Sequence, residues 1–292
     1  MHVMRENWDD LRAVLFMVRH GSLAAAATAL DVNYTTVARR IAQAEESYGV
    51  LLFERLPQGY VATEAGLLAA SEAEKMEDAE TGFRRALAKA DTRLSGTFSI
   101  TAPQLLIAAH LCHVIEEFLG KHPEVELTVR ASNALLNLNR READLAIRIS
   151  ANPGDTLVGR RLTGQQTASF ASAEVARRIE TAPGATIDWI GFTYWTKPPK
   201  VSLENYPNAR IKMQFDDMSA VLGAAQAGLG VARMPMFLGR SAGLTQVPVL
   251  PPQPYTDIWA VAHRDIWASA KVTAFKECLL PYFKAHAAEF MA

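Results

Sequence analysis

Residues 22–49 read SLAAAATALDVNYTTVARRIAQAEESYG, two helix-sized runs with a turn between them. Ser22 is a good N-cap, because its hydroxyl can accept from an N–H of the first helical turn. It opens a helix over Leu23 to Leu30 whose four consecutive alanines, Ala24 to Ala27, let a neighbour pack closely. Asp31 and Val32 make a short turn. Asn33 then caps a helix whose core face is Val37, Ile41, Ala44 and Tyr48, at spacings of three and four residues, and Gly49 ends it. Two short helices joined by about three residues form a helix-turn-helix.

The flanks extend this unit. Upstream, a helix starting near Asp9 carries Leu11, Val14, Leu15 and Val18 on one side and stops at Gly21. Downstream, Leu51 to Arg55 and Tyr60 to Thr63 flank Pro57-Gln58-Gly59 and read as a β-hairpin wing. Thr63 caps a long helix over roughly residues 64–90. Ala65, Ala69, Met76, Ala79, Phe83, Ala86 and Ala90 mark one side of it, with Glu72 the polar residue in the register. That spacing predicts helix pairing in a dimer, with a lone surface helix as the alternative.

The rest of the 292 residues change character. Thirteen of the fourteen prolines lie from Pro103 onward, and segments of strand and helix alternate. Strands are expected at Thr97–Thr101, Val125–Val129, Asp144–Ile147, Ile187–Phe192, Val231–Ala232 and Trp259–Ala262. Helices are expected at Gln104–Leu119, Met218–Ala227 and Ala268–Phe283. This pattern predicts α/β lobes with mainly parallel sheets and a cleft between them. The fold class is therefore α/β overall, with an all-α winged helix-turn-helix at the N-terminus.

Composition narrows the functions. Thirty Lys and Arg against thirty-one Asp and Glu exclude binding of nucleic acid through bulk charge, though not through a local basic surface. The longest apolar stretch, Met218 to Ala232, is short of the ~20 residues that span a bilayer, so no membrane partner is expected. Two cysteines, Cys112 and Cys278, are too few for a disulfide scaffold, and the N-terminus lacks the apolar core of a signal peptide. A cytoplasmic protein without cofactor or metal is expected.

Trp8-Asp9-Asp10-Leu11-Arg12, Gly21-Ser22, Ala26-Ala27, Arg39-Arg40-Ile41, Glu45, Leu52-Phe53-Glu54-Arg55 and Thr63-Glu64-Ala65-Gly66 resemble the N-terminus of LysR-type transcriptional regulators. A weaker likeness continues through Ala143–Ile147 and Ala227–Ala232 to the C-terminal helix. The resemblance implies a winged helix-turn-helix DNA-binding domain over residues 1–63 and a linker and dimerisation helix over 64–92. It also implies an effector domain over 93–292, with one lobe at about 93–163 plus 263–292 and the other at about 164–262. The implied partners are an interrupted palindrome of double-stranded DNA, a small-molecule effector, a homodimer or homotetramer, and RNA polymerase for an activator. The family often opens its recognition helix with Ser-Gln, where this chain has Asn33-Tyr34, and has Ser where this chain has Ala38. Its operator therefore cannot be borrowed from relatives.

If Val37, Ile41 and Ala44 point inward, then Thr35, Thr36, Arg39 and Arg40 fall outward, with Asn33 and Tyr34 at the helix start. These are the candidate DNA contacts, joined by Arg55 on the wing for phosphate or minor groove. Residues 1–63 carry six arginines against seven acids, so placement rather than count must supply the affinity. For the effector, strand ends and helix starts nominate Thr101, Gln104, Ser132, Asn133, Thr193, Asp217 and Arg233, the last suited to an anion.

Three motifs compete. Gly239-Arg240-Ser241-Ala242-Gly243 fits a hydrolase nucleophile elbow, with Asp257 and His263 as triad partners, but the segment before Ser241 reads as helix rather than strand. Gly228-Leu229-Gly230 is part of a dinucleotide fingerprint, but it follows a helix. His110 and His113 could share a metal, but no third ligand is near in sequence. The function expected is a non-enzymatic, effector-modulated transcriptional regulator; the alternatives are a stand-alone small-molecule binding protein and a Ser241 hydrolase.

Overall fold

The computed structural model describes residues 7–56, 59–90, 92–132, 143–151, 157–182, 184 and 186–292. The chain divides into two compact units, Met1–Ala86 and Leu87–Ala292.

The first unit holds α1 (Trp8–His20), α2 (Leu23–Leu30), α3 (Tyr34–Tyr48), the antiparallel hairpin of β1 (Phe53–Leu56) and β2 (Gly59–Ala62), and most of α4 (Glu64–Ala90). The hairpin's Pro57-Gln58 lies outside the described residues. Local chemistry sets most of the boundaries. The Asn7 side chain accepts from the Asp9 N–H and starts α1 at Trp8, and Ser22 accepts from Ala25 to start α2. Gly21 and Gly49 take the left-handed conformation that closes α1 and α3. Asp31 does the same without being glycine (φ 55°), which a short polar side chain tolerates. Ala13, Val14, Met17, Ala26, Ala27, Val37, Ile41 and Ala44 form the core with Leu52 and Phe53 of the wing. Tyr48, expected on that core face, is 44% exposed: Ala44 is the last buried position of α3.

The expected stripe on α4 splits. Ala65 and Ala69 pack against the core of their own unit, whereas Met76 and Phe83 stay exposed.

The second unit is built on one mixed sheet. Its strands are β3 (Gly96–Ala102), β4 (Val125–Ala131), β5 (Leu145–Ile149), β6 (Leu157–Ala171), β7 (Asp188–Phe192), β8 (Arg210–Phe215), β9 (Val231–Pro235), β10 (Thr245–Gln246) and β11 (Gln253–His263). Among the described residues they are ordered β4-β3-β5-β11-β6-β9-β7-β8, with β10 paired to β6. β3, β4 and β5 are parallel, as are β7, β8 and β9. The centre departs from the expected parallel arrangement, because β6 and β11 run antiparallel to each other over most of their length. β11 also pairs with β5 and β6 with β9, so these two strands join the lobes.

The helices cover the sheet: α5 (Gln104–Leu106), a π turn (Ile107–Leu111), α6 (Cys112–Lys121), α7 (Ala173–Thr181), α8 (Lys200–Asn205), α9 (Met218–Gln226), α10 (Met236–Ser241) and α11 (Ala270–Ala285), then a 3-10 turn (Ala287–Phe290). Phe98 of β3 packs against Phe118 of α6 and Phe275 of α11, both at 5.8 Å, at the centre of the first lobe. Trp189 of β7, with Val175, Ile179 and Val231, anchors a second cluster.

The π turn buries His110 to 2% exposure, stacked on Phe290 at 4.6 Å and beside Phe237 at 5.3 Å. Its Nδ1 lies 3.3 Å from the Tyr282 hydroxyl. Burial pulls its pKa below the ordinary 6.5. The unfolded chain therefore binds a proton that the folded chain refuses, and stability falls as pH drops through that ordinary value. Melting of the second unit between about pH 7 and pH 5 is expected to show this loss. His110→Phe should flatten the dependence, and an unchanged slope would assign it to other groups.

Candidate DNA-reading surface and ligand cleft

The first unit presents the start of α3. Asn33 stands at its N-cap with no side-chain capping bond, and Asn33, Tyr34 (63% exposed), Thr35 and Arg39 are exposed, with Thr36 half-buried. Arg40 is committed elsewhere: its Nη2 lies 2.8 Å from Asp9 Oδ2, which takes it out of the free basic set. Arg12 also faces Asp9, at 3.9 Å, and Arg19 bridges Glu74 and Glu77 on α4 at 3.3 and 2.9 Å. Arg39 and Arg55 make no ion pair among the described residues, and Arg55 lies 5.9 Å over the Tyr60 ring. Asp9 thus engages Arg12 and Arg40, Glu74 and Glu77 engage Arg19, and the exposed guanidiniums of Arg39 on α3 and Arg55 on the wing are left.

The wing is tied to α3 by Glu45, whose Oε1 accepts from the backbone N–H groups of Leu52 (2.8 Å) and Phe53 (3.0 Å). Glu45→Ala leaves two part-buried donors unsatisfied, an expected loss of about 1–3 kcal/mol in thermal or urea unfolding. A wing-specific rise in amide exchange checks that the loss is local.

The second unit contains a cleft of about 500 Å³ reached by both lobes. Ser132, Asp217 and Arg233 line it. Thr101 does not: it is buried, and its hydroxyl donates to the Arg130 carbonyl at 3.0 Å across the β3–β4 ladder. Gln104 and Thr193 are exposed outside the lining: Gln104 opens α5, whose Leu105 and Leu106 line the cleft in its place, and Thr193 is held by its backbone to Phe215. Asn133 lies outside the described residues. The lining also includes Arg148, Thr167, Phe192, Trp195, Phe237 and Tyr255. Arg148 had a legible signal, a charged residue near the carboxyl end of an apolar strand; Thr167 and Tyr255 belong to the crossing strands and had none.

Arg233 Nε donates to the buried Thr167 Oγ1 at 3.0 Å, a bond between β9 and β6. Asp217 caps α9, accepting from the Ser219 and Ala220 N–H groups at 2.7 and 3.3 Å. A side-chain hydrogen bond from Ser219, then those backbone donors, hold its carboxyl below the usual range and so ionised.

The competing motifs resolve into structure. Ser241 ends α10, with its hydroxyl donating to the Leu238 carbonyl, while Asp257 pairs with Arg161 and His263 with Asp265. Gly228 turns α9 into β9 at φ 74°, and Gly230 lets that strand approach Asp188, whose carbonyl oxygen a Cβ would meet at 2.3 Å. His113 stacks on Tyr282 while His110 stacks on Phe290.

A winged helix-turn-helix and a two-lobed ligand cleft in one chain make a one-component regulator architecture. Residues 8–67 match the bacterial regulatory helix-turn-helix protein model of the lysR family, and residues 91–284 match the LysR substrate binding domain. The chain belongs to the LysR family of transcriptional regulators.

It is 25% identical to the HTH-type transcriptional regulator PtxR of Pseudomonas aeruginosa over 241 residues, 80% of this chain and 77% of that one. It is 31% identical to an HTH-type transcriptional regulator of Xanthomonas campestris over 179 residues, 60% of this chain and about half (51%) of that relative. Among solved structures, full-length AphB, a virulence activator of Vibrio cholerae, superposes with a TM-score of 0.62 at 20% identity, covering 95% of this chain and 99% of that one. At that identity the likeness shows the fold.

Proposed function

We propose that the protein is a sequence-specific DNA-binding transcriptional regulator whose DNA binding or activation is modulated by a small molecule in the cleft of its second unit. The observation that carries this reading is the α3 start, where Tyr34, Thr35 and Arg39 stand exposed beside a wing bearing Arg55. A recognition helix reads base edges in the major groove through such N-terminal residues, while a wing arginine suits phosphate or minor groove. Residues 1–63 are the DNA-binding domain in this reading, with the helix of 64–92 as linker. Exposed Met76, Phe83 and Leu87 on α4 support pairing with a second copy, as a homodimer or a homotetramer. No helix among the described residues is long and apolar enough to cross a membrane, consistent with action on cytoplasmic DNA. Operator and effector binding then influence each other reciprocally, by linkage.

Footprinting of the intact chain on the DNA upstream of its own gene tests the reading. A protected interrupted palindrome is expected. No protection there, followed by no enriched sequence in a random-sequence selection, overturns it in favour of a stand-alone small-molecule binding protein.

A further inference from the structure

The cleft's charges and walls narrow what it can hold. Arg233 is fixed through Nε by Thr167, a buried residue of the crossing strand, and its two terminal nitrogens make no bond among the described residues. A guanidinium pinned at Nε presents a planar pair of donors, the match for two oxygens of one carboxylate.

The helix start that would serve a phosphate is already filled. Asp217 occupies the first N–H groups of α9 with its own ionised carboxylate. Asp216 lies next to it on the lining. Two carboxylates therefore offset the two arginines, Arg148 and Arg233, and a dianion would meet repulsion that a single negative charge largely avoids.

Ser132, Tyr194 and Tyr255 add polar groups to the lining, and the rest of it is largely apolar. The first lobe contributes Leu105, Leu106, Ile147 and Ile149, while Phe192 and Trp195 come from the second. The aromatic segment is held rigidly. Gln214 Nε2 donates to the carbonyls of Phe192 (2.9 Å) and Trp195 (2.6 Å), and the Trp195 N–H returns to Phe192 at 2.8 Å. Phe192 stacks on Tyr194 at 5.2 Å and meets Trp195 nearly edge-on at 6.0 Å. A wall preset in this way favours a flat or bulky apolar body, since little conformational freedom is lost on binding.

We infer that the effector is a monocarboxylate with a ring-sized apolar body, its carboxylate held by Arg233 and its body by the Phe192–Trp195 wall. Thr167 is a positioning residue in this arrangement, acting through Arg233. The inference rests on the regulator reading only for the word effector; the binding chemistry belongs to the cleft itself.

Calorimetry and tryptophan fluorescence on the full chain, without DNA, test it with benzoate, phenylacetate, phenylpropanoate, benzamide, acetate, glutarate and inorganic phosphate as probes. Ring carboxylates are expected to bind, to outrank acetate, glutarate and phosphate, and to exceed benzamide by about tenfold or more. Arg233→Gln is expected to erase the carboxylate-over-amide ratio with the melting temperature little changed, and Thr167→Val to shrink it. Three results overturn the inference: phosphate or glutarate outranking the ring acids, an undiminished ratio in Arg233→Gln, or no ring carboxylate bound by about 1 mM. The two readings fail separately. Ring-acid binding without any operator sinks the regulator reading alone, whereas a footprint that responds only to phosphate or a sugar sinks the carboxylate alone.

Discussion

Arg39→Ala is expected to weaken operator binding by about 1–3 kcal/mol at each half-site, so that two protomers together lose roughly 30-fold to roughly 20,000-fold. Arg40→Ala, one residue on, is expected to leave the sequence preference intact. The two side chains share a helix and a charge but not a situation. Arg39 is exposed without an ion pair among the described residues, whereas Arg40 holds Asp9 at 2.8 Å. A partly exposed ion pair of that kind contributes about 0–1 kcal/mol. Removing Arg40 also strips the strongest stabilising positive charge from Asp10, a buried carboxyl already pushed up by its burial. That change is felt in folding more than in reading DNA. Anisotropy titrations on the footprinted site at two salt concentrations separate the cases. If Arg39 reads a base, affinity falls on the operator and much less on unrelated DNA, and the salt slope is nearly unchanged. Equal losses for the two variants on every sequence would remove Arg39 from the base-reading set.

What the sequence disclosed follows the range of the interactions. The helix-turn-helix was legible because its punctuation is local: Ser22 and Thr63 cap within three residues, and Gly21 and Gly49 close helices in their own neighbourhood. The long strand β6 was not legible. Thr163, Gln165, Thr167 and Ser169 offer no apolar strand pattern, yet all four are buried. Their partners are distant in the chain: Gln165 donates to the Thr256 carbonyl and Ser169 to those of Val247 and Leu250. The cleft divides in the same way. Strand-end and helix-start reasoning reached Ser132, Asp217 and Arg233, which line it, but also Thr101, which points into the β3–β4 ladder. Alternation along a strand tells which residues share a face, not which face meets a cavity.

Gly66→Ala is expected to destabilise the first unit by about 3 kcal/mol or more and to abolish operator binding. Helix propensity alone points the other way: Gly66 lies in the first turn of α4 with an ordinary φ, and alanine there should gain up to about 1 kcal/mol. The contact reverses the sign. A Cβ on Gly66 would lie 2.0 Å from the Leu52 carbonyl oxygen and 3.0 Å from its carbon, and both are backbone atoms that no rotamer change can move away. Leu52 cannot yield easily. Its N–H is held by Glu45 at 2.8 Å, its carbonyl accepts from Thr63 at 3.0 Å, and its side chain is buried in the core. Gly66 is held in turn by the Thr63 hydroxyl, at 3.0 Å from its own N–H. Relief therefore requires α4 to part from the base of the wing, breaking the Thr63–Leu52 bond and loosening the Glu45 anchor between wing and recognition helix. Amide exchange resolved by segment is the measurement: protection should fall across α1 to α3 and the wing while β3 to β11 keep theirs. Unchanged or raised protection in the first unit would mean that α4 and Leu52 do not approach so closely, and that propensity governs the site.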